Sequence, residues 1–287
     1  MFAVRDRTCI VTGVSPGGIG LRTAAALAAE GATVVLASRN EERAAAAMAE
    51  IRAMPAVVAG GGRVEYMHLD LNDLRNVEGF VRAFKARHDN LAVLVNNAGL
   101  NSMDNPTART ANGLVKSYGV NFVAAFHLTN LLLPTLRASA PSRVVNVSSQ
   151  MHRSAAVERM DIAATACHTS SYSNSKLAMI WHTNTIQRRM EADGVDVKAI
   201  SVTPGAVRTN IWRTLHGVAA CVLKAASQVL FLSPEQGAAT SVRAALDPSL
   251  RGGEYLSPYK AAGRFPALDY CWLFGGAHVI PASPAAY

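Results

Sequence analysis

Residues 12–20 read TGVSPGGIG, with four glycines in nine positions between an apolar run and a helix-like run. The preceding run, TCIVT at residues 8–12, has the β-branched composition of a strand, and LRTAAALAAEG at residues 21–31 is rich in the best helix former, alanine. Glycines at a strand-to-helix turn let backbone N–H groups approach a pyrophosphate, whose charge the helix N-terminus stabilises. The stretch therefore predicts a dinucleotide-binding loop. Tight packing is the alternative as long as no other motif accompanies it.

Short β-branched runs alternate with helix-compatible segments along the rest of the chain. After TCIVT come TVVLAS (33–38), RVEYMHL (63–69), LAVLVN (91–96), RVVNVSS (143–149) and VDVKAISV (195–202). This alternation predicts an α/β fold, a Rossmann-type doubly wound parallel sheet of about seven strands with helices on both faces. Such a sheet binds its ligand at the carboxyl ends of its strands, so the loops there are where chemistry is expected.

Length and composition favour one domain. A chain of 287 residues with 50% hydrophobic and 17% charged content can bury a large core. We expect a single domain over residues 1–287, with a cofactor half at about 6–140 and a catalytic and substrate half at about 141–287. The net charge of +8 is scattered, so nucleic-acid binding is not expected. Cys9, Cys167, Cys221 and Cys271 lie far apart, which predicts no metal site.

Localisation is predicted from the ends and the apolar segments. The N-terminus runs straight into the first strand without the apolar core of a signal peptide, so a cytoplasmic location is expected. Residues 128–136, LTNLLLPTL, and 217–232, GVAACVLKAASQVLFL, are the segments apolar enough for a membrane check. The second is interrupted by Lys224 and is shorter than a bilayer span, so it predicts a helix over an apolar cavity. Peripheral membrane contact is the alternative.

The end of the second run indicates which dinucleotide binds. Ser38, Arg39 and Asn40 follow it, and Arg39 lies nineteen residues past Gly20. An acidic residue at this offset would bind the ribose hydroxyls of NAD, whereas a cation accommodates the 2′-phosphate of NADP. The planar guanidinium of Arg39 suits a phosphate, and this predicts NADP(H) as the cofactor.

A second group of polar residues predicts acid–base chemistry. Tyr172 and Lys176 are four residues apart in SYSNSKLAMIW, which reads as a helix, so both project from one face. A nearby ammonium favours a phenolate and makes a tyrosine usable near neutral pH. Ser148 and Ser149 end the fifth run at the same edge of the sheet and offer a hydroxyl for a substrate oxygen. Together these residues supply an oxygen anchor, a proton donor and a cation that tunes its pKa.

Five motifs in order now carry a family resemblance. TGVSPGGIG, NNAG (96–99), NVSS (146–149), YSNSK (172–176) and PGAVRT (204–209) resemble the short-chain dehydrogenase/reductase family over about residues 6–212. Within it, residues 119–136, the long segment between Ser149 and Tyr172, and LSPEQGAATSV resemble the branch that contains retinol dehydrogenases, the WW-domain oxidoreductase and protochlorophyllide reductase.

The resemblance implies roles for individual residues. The catalytic set is Asn121, Ser149, Tyr172 and Lys176. Tyr172 is the implied acid or base, and Lys176 lowers its pKa and binds the nicotinamide ribose. Ser149, rather than Ser148, orients the substrate, and Asn121 holds a helix kink and a water of the proton relay. The implied cofactor-binding residues are Gly13, Ser15, Gly18, Ile19, Gly20, Ser38, Arg39, Asn40, Asp70, Leu71, Asn97, Ala98, Gly99, Tyr172, Lys176, Pro204, Gly205, Val207 and Thr209.

Three departures from the family pattern are visible. The glycine loop has one residue more than the usual TGxxxGIG, and we expect the extra residue to bulge the 14–17 arch while residues 18–20 keep their register with the helix. Ala124 replaces a small glycine after Asn121. Between Ser149 and Tyr172 lie 22 residues, against about a dozen in shorter members, which predicts an extra lobe near the substrate mouth.

The sequence therefore predicts an NADP(H)-dependent oxidoreductase, retinol dehydrogenase-like, that interconverts a carbonyl and an alcohol on a lipophilic molecule. The apolar residues 211–232 fall in the family's variable substrate loop, at about 208–233, and favour a retinoid-, steroid- or lipid-like substrate. Homodimer packing or membrane contact would use the same apolar residues. Reduction of a C=C bond on the same scaffold and a non-catalytic NADP-sensing role remain the alternatives.

Overall fold

A computed structural model describes residues 2–102, 105, 107–156, 168–207 and 232–258. The strands are β1 (Thr8–Thr12), β2 (Thr33–Ser38), β3 (Arg63–His68), β4 (Val93–Asn96), β5 (Ser142–Val147), β6 (Val197–Val202) and β7 (Tyr255–Leu256). The α-helices are α1 (Ile19–Ala29), α2 (Glu41–Arg52), α3 (Pro55–Gly60), α4 (Leu74–Lys85), α5 (Lys116–Tyr118), α6 (Ala124–Ala138), α7 (His168–Ala192) and α8 (Pro234–Leu246). A π-helical turn (Gly119–Val123) joins α5 to α6, and a 3₁₀ helix (Gln150–Ser154) follows β5.

The seven strands form one parallel sheet in the order β3-β2-β1-β4-β5-β6-β7. The predicted doubly wound α/β fold is thus confirmed, and each of the six strand runs contains a strand. β7 is the strand whose position the sequence did not reveal, because two residues are too few to give a pattern. Strand order reverses between β1 and β4, and this reversal opens a crevice at their carboxyl ends.

Strands buried on both faces explain the continuous apolar runs. Alternate residues of β1 face opposite sides: Cys9 and Val11 pack in one core with α1 and α8, and Ile10 packs in the other with α4, α6 and α7. All three are fully buried. Burial raises the pKa of the Cys9 thiol to about 12, as expected of an inert core cysteine. The sheet therefore separates two cores and forms a rigid support for the loops at its edge.

One helical stretch within the described ranges, Lys116–Ala138, is long and apolar enough to cross a membrane by length and composition. It contains the predicted apolar segment around Leu131. More than half of it is buried inside the fold, and a core helix of this kind passes the same test. The other apolar segment, with Cys221, lies outside the described residues, as do Cys167, Cys271 and most of the expected substrate loop.

Candidate active site

The glycine loop joins β1 to the loop after β4. The Thr12 hydroxyl accepts hydrogen bonds from the backbone N–H groups of Asn97 and Ala98, each at 3.0 Å, and the Asn97 side-chain amide donates to the Thr12 carbonyl at 2.7 Å. Gly13 has φ +71°, and a Cβ there would lie 2.6 Å from the Cα of Ala98. Only glycine allows this close approach, so the two loops form a continuous floor.

The extra residue of the loop is accommodated in a tight turn. The Gly18 N–H donates to the Ser15 carbonyl at 3.1 Å, with Pro16 and Gly17 between them and Gly17 at φ +66°. Proline followed by a residue with positive φ is typical of a type II turn. α1 then begins at Ile19 with Gly18 as its N-cap. The turn thus lies in the arch before the helix, where the extra residue is expected. A glycine N-cap has no side chain to occupy the first N–H groups of the helix.

A cavity of about 280 Å³ lies beside this floor. It brings together nine of the expected cofactor residues: Gly13, Ser15, Ser38, Arg39, Asn40, Asp70, Leu71, Ala98 and Gly99. Its remaining lining residues are Val14, Ala37, Arg43, Leu69, Asn72, Leu100, Lys116 and Val120. The sequence reasoning missed these. For Arg43 a signal existed, since it is a second arginine close to Arg39 and lies in the first turn of the helix that follows β2.

Polar groups at the β2 end of the cavity suit a nucleoside. The hydroxyl of Ser38 is buried without a hydrogen-bond partner in the described part of the chain. Asn40 caps α2, since its side-chain oxygen accepts the Arg43 N–H at 2.8 Å. Arg39 and Arg43 both line the cavity wall. Asp70 accepts the N–H of Asn72 at 2.9 Å and so holds the loop after β3. An orphaned hydroxyl and two guanidinium groups thus lie together at this end of the cavity.

The PGAV loop (204–207) lies near the start of α1 and not in this cavity. Val207 is buried, and a Cβ on Gly237 of α8 would lie 2.6 Å from its side chain and 3.4 Å from that of Ile19. α8 therefore holds the two expected cofactor segments against each other. Gly20 faces the floor, because a Cβ there would lie 2.6 Å from the amide nitrogen of Asn97. Thr209 lies outside the described residues.

The four expected catalytic residues come together at the carboxyl ends of β4 and β5. The side chain of Ser149 lies close enough to the Tyr172 hydroxyl to act on its pKa. Lys176, which is buried, has its Nζ 5.7 Å from the centre of the Tyr172 ring and donates to the Val147 carbonyl at 2.9 Å. A Cβ on Gly99 would lie 3.3 Å from that Nζ, so the lysine also borders the cofactor cavity.

The two serines differ as the family pattern implies. The Ser148 hydroxyl is buried and donates to the backbone carbonyl of Lys176 at 2.7 Å, which ties β5 to α7. Ser149 is partly exposed, caps the 3₁₀ helix by accepting the Met151 N–H at 3.2 Å, and meets Tyr172. Ser149 is therefore the serine with a hydroxyl directed at the reacting side.

Asn121 lies in the π-helical turn Gly119–Val123, so the expected kink is present. Its side chain accepts the Leu100 N–H and donates to the Leu100 carbonyl, both at 2.8 Å, and donates to the Ser175 hydroxyl at 3.2 Å. A π turn carries one extra residue per turn and re-aims the side chains around it. Here the turn places one amide between the loop after β4 and α7.

The electrostatics of the tyrosine differ from the expectation. Burial raises the pKa of Tyr172, and its hydrogen bond with Ser149 lowers that pKa by less. Burial lowers the pKa of Lys176 to about 8. The expected lowering of the pKa of Tyr172 by Lys176 does not appear in this structure, where the ammonium donates to the Val147 carbonyl and lies 5.7 Å from the centre of the ring. Tyr172 is accordingly protonated at neutral pH.

Comparison with known proteins gives a consistent result. The family model for short chain dehydrogenases matches residues 7–217. Human polyprenol dehydrogenase is 36% identical over 88% of this chain and 76% of its own length, and mouse retinol dehydrogenase 14 is 35% identical over 93% and 82%. The crystal structure of a dehydrogenase/reductase from Sinorhizobium meliloti 1021 superposes with a TM-score of 0.67 over 89% of this chain and 94% of its own, at 24% identity, which shows likeness of fold.

Proposed function

This chain belongs to the short-chain dehydrogenase family, and on that premise we propose that it is an NADP(H)-dependent enzyme that interconverts a carbonyl and an alcohol on a lipophilic small molecule. Membership makes it an oxidoreductase that uses a nicotinamide cofactor, NAD or NADP. The observation that carries the proposal is the grouping of Ser149 and Tyr172 with buried Lys176, whose Nζ lies 5.7 Å from the centre of the Tyr172 ring, at the edge of the glycine-floored cavity.

The described residues fit a dinucleotide. The floor would be filled by a Cβ at Gly13 or Gly20, and the Ser38 hydroxyl is left without a partner in the described ranges. NADP(H), when bound, supplies the hydride. The choice of NADP is supported by Arg39 and Arg43 in the cavity wall, where a 2′-phosphate would receive two charge-assisted contacts. Gly18 at the N-cap of α1 leaves N–H groups for the pyrophosphate.

The chain's own residues perform the proton chemistry in this proposal. Tyr172 donates its phenolic proton to the substrate oxygen during reduction and accepts it back during oxidation. Its raised pKa keeps the phenol protonated at neutral pH, which suits the reducing direction. Ser149 anchors the same oxygen by a hydrogen bond. Lys176, when protonated, places a positive charge next to the ring.

The substrate class is argued from the relatives. Polyprenol and retinol are both long isoprenoid alcohols, so their dehydrogenases favour a retinoid-, steroid- or lipid-like alcohol or carbonyl for this chain. Membrane contact through the apolar residues at 211–232 is part of the proposal, because such substrates partition into lipid. Homodimer packing is the other use proposed for the same residues.

Replacing Tyr172 tests the proposal directly. Tyr172→Phe removes the proton donor and keeps the ring, so turnover of a lipophilic aldehyde or ketone with NADPH is expected to fall roughly 100- to 10,000-fold while NADPH affinity stays the same. Turnover is followed by NADPH absorbance and affinity by fluorescence titration. Tyr66→Phe is the matched control, since Tyr66 is a tyrosine of the edge strand β3 whose hydroxyl lies 3.2 Å from Nδ1 of His68.

Three results would contradict the proposal in different ways. Full turnover by Tyr172→Phe would remove the tyrosine from the mechanism. NADPH binding by the wild type without turnover of retinoid, steroid or lipid carbonyls would favour the sensing role. A product reduced at a C=C bond, identified by mass spectrometry and NMR, would favour the double-bond reductase.

A further inference from the structure

His152 lies three residues after Ser149 and has no part in the chemistry described above. Its ring is buried in the 3₁₀ helix that follows β5, and its Nδ1 lies 2.6 Å from the Ser149 carbonyl oxygen. Since a carbonyl oxygen only accepts hydrogen bonds, Nδ1 must carry the proton. The same carbonyl also accepts the backbone N–H of His152 at 3.1 Å. Two donors from one residue thus hold the peptide plane that follows Ser149.

That peptide plane determines where the Ser149 hydroxyl lies. Ser149 is extended, at φ −157° and ψ 157°, and its hydroxyl accepts the Met151 N–H from the turn that the His152 ring closes. A rotation about ψ of Ser149 would carry the Met151 N–H away from the hydroxyl. The hydroxyl would then lose one of the two contacts that orient it, leaving only Tyr172.

The ring of His152 also packs against Tyr255 of β7. The two rings meet edge to face, with centroids 5.1 Å apart and planes at 67°, and the Tyr255 hydroxyl lies 3.4 Å from Nδ1. The side chain of Thr203 lies close enough to Tyr255 to act on its pKa, and the Thr203 hydroxyl accepts the Gly205 N–H at 3.3 Å. Contacts among Ser149, His152, Tyr255 and Thr203 therefore connect the substrate-side turn to the PGAV loop, and the contact between His152 and Tyr255 joins residues 103 positions apart.

We propose that His152 is a positioning residue, which holds the Ser149 hydroxyl in line with Tyr172 through the hydrogen bond from Nδ1 to the Ser149 carbonyl, with Tyr255 fixing the ring. The inference rests on the proposed function, in which Ser149 anchors the substrate oxygen. His152 is not a catalytic residue, because its bonded nitrogen is committed to a backbone carbonyl. Burial lowers its pKa, so the ring is neutral at pH 7 and retains the single-donor form.

Two substitutions separate the hydrogen bond from the packing. His152→Asn keeps an amide donor near the position of Nδ1 and removes the ring. His152→Phe keeps a ring against Tyr255 and removes the donor. We expect His152→Phe to lower kcat for a lipophilic carbonyl roughly tenfold, the effect of one hydrogen bond, with NADPH affinity unchanged, and His152→Asn to recover most of that loss. His182→Phe is the matched control, a buried histidine on α7 whose ring packs against Phe122 and Phe126.

A double-mutant cycle tests whether His152 acts through Ser149. In a Ser149→Ala background, His152→Phe is expected to cause no further loss of kcat, because the hydroxyl that it positions is gone. Additive losses would overturn the inference, and so would wild-type kcat in His152→Phe or equal losses in the Phe and Asn variants. If His152→Phe is unfolded at the assay temperature, Tyr255→Phe is used. This variant keeps both rings, and a wild-type kcat in it would overturn the role of Tyr255.

Failure of this inference is distinct from failure of the proposed function. Ser149→Ala and Tyr172→Phe report on the proposed function by themselves. If both retain full turnover, the site is assigned wrongly, whatever His152 does. If both are impaired while His152→Phe is not, the reaction stands and the positioning role does not.

Discussion

Arg39 and Arg43 are the two guanidinium groups in the wall of the cofactor cavity, both on exposed side chains next to the N-terminus of α2. Replacing either with alanine is expected to weaken NADPH binding roughly 10- to 100-fold, because each charge-assisted contact to a 2′-phosphate contributes about 1.5–3 kcal/mol. NADH, which has no such phosphate, should bind as before. The ratio of kcat/KM for the two cofactors measures this.

Arg87→Ala is the control for that comparison, since Arg87 is an exposed arginine that precedes β4, on the side of the amino ends of the strands. Equal losses of NADPH and NADH binding in Arg39→Ala would mean that the arginine supports the loop and does not recognise the phosphate. Such a result would return the cofactor to NAD or NADP without preference.

Single residues were predictable from sequence where a motif fixes both residue type and spacing. Ser149, Tyr172, Lys176 and Asn121 came together in this way. His152 could not be found, because its partner Tyr255 is 103 positions away and only the fold makes them neighbours. The pKa of Tyr172 was also beyond the sequence, since it depends on burial and on the direction in which the Lys176 ammonium points.

At the scale of elements, the glycine loop offers two positions with the same backbone geometry and different surroundings. Gly13 and Gly17 have φ +71° and +66°, but a Cβ would lie 2.6 Å from backbone at Gly13 and would meet nothing within 4 Å at Gly17. Gly17→Ala should therefore cost only the left-handed backbone penalty, about 1–2 kcal/mol. Gly13→Ala should cost more and should also weaken NADPH binding by separating the loop from Ala98.

Thermal unfolding and NADPH titration of the two variants check this. For a chain of this size, 1 kcal/mol corresponds to a Tm change of roughly 2–4 °C. Equal Tm losses with equal NADPH affinities would show that contact between the two loops is not what requires Gly13.

The elements themselves follow from local signals to different degrees. β1 and β2 are nearly continuous apolar runs, and their position in the chain was visible. The π turn at Asn121 was implied by family resemblance alone, since nothing in GVNFV distinguishes a π turn from an α turn. The short strand β7 depends on pairing with β6, as its residues bond to Ser201 and Val202 of that strand.

At the scale of the whole molecule, His182 couples stability to pH. It is buried on α7 against Phe122 and Phe126, and its Nε2 has no hydrogen-bond partner in the described ranges. Burial lowers its pKa from 6.5 to about 4. Above pH 6.5 the ring is neutral in both folded and unfolded states. As the pH decreases from 6.5 to 4, only the unfolded state takes up the proton. The free energy of unfolding therefore decreases over this interval, by about 3 kcal/mol in total.

Urea denaturation at pH 7 and pH 4.5 measures this effect. His182→Phe should lose less stability than the wild type over the interval, and should be no less stable at pH 7 because it removes an unsatisfied buried nitrogen. If the variant and the wild type lose the same free energy of unfolding, the acid sensitivity resides elsewhere, for example in His152, whose pKa burial also lowers.

The architecture was predictable because alternation of strands and helices indicates a parallel sheet with crossover helices. The sequence could not show how deeply each residue of a strand is buried. It did not show that Arg143 of the central strand β5 is buried, with its guanidinium bonded to the carbonyls of Ala244 and Asp247 and stacked on Phe2. A charged residue in a buried strand is an exception to the apolar pattern on which the strand prediction depends.

The Ser15–Gly18 turn lets the glycine loop vary in length between two fixed parts, the floor at Gly13 and the start of α1. Because the turn closes on itself through the Gly18 N–H and points Gly17 into open space, the residues between the floor and the helix can change in number without shifting either. We therefore expect a residue inserted next to Gly17 to leave both the floor and the helix in place. Pro16 and Gly17 are a permissive point for introducing a reporter group within reach of the bound cofactor.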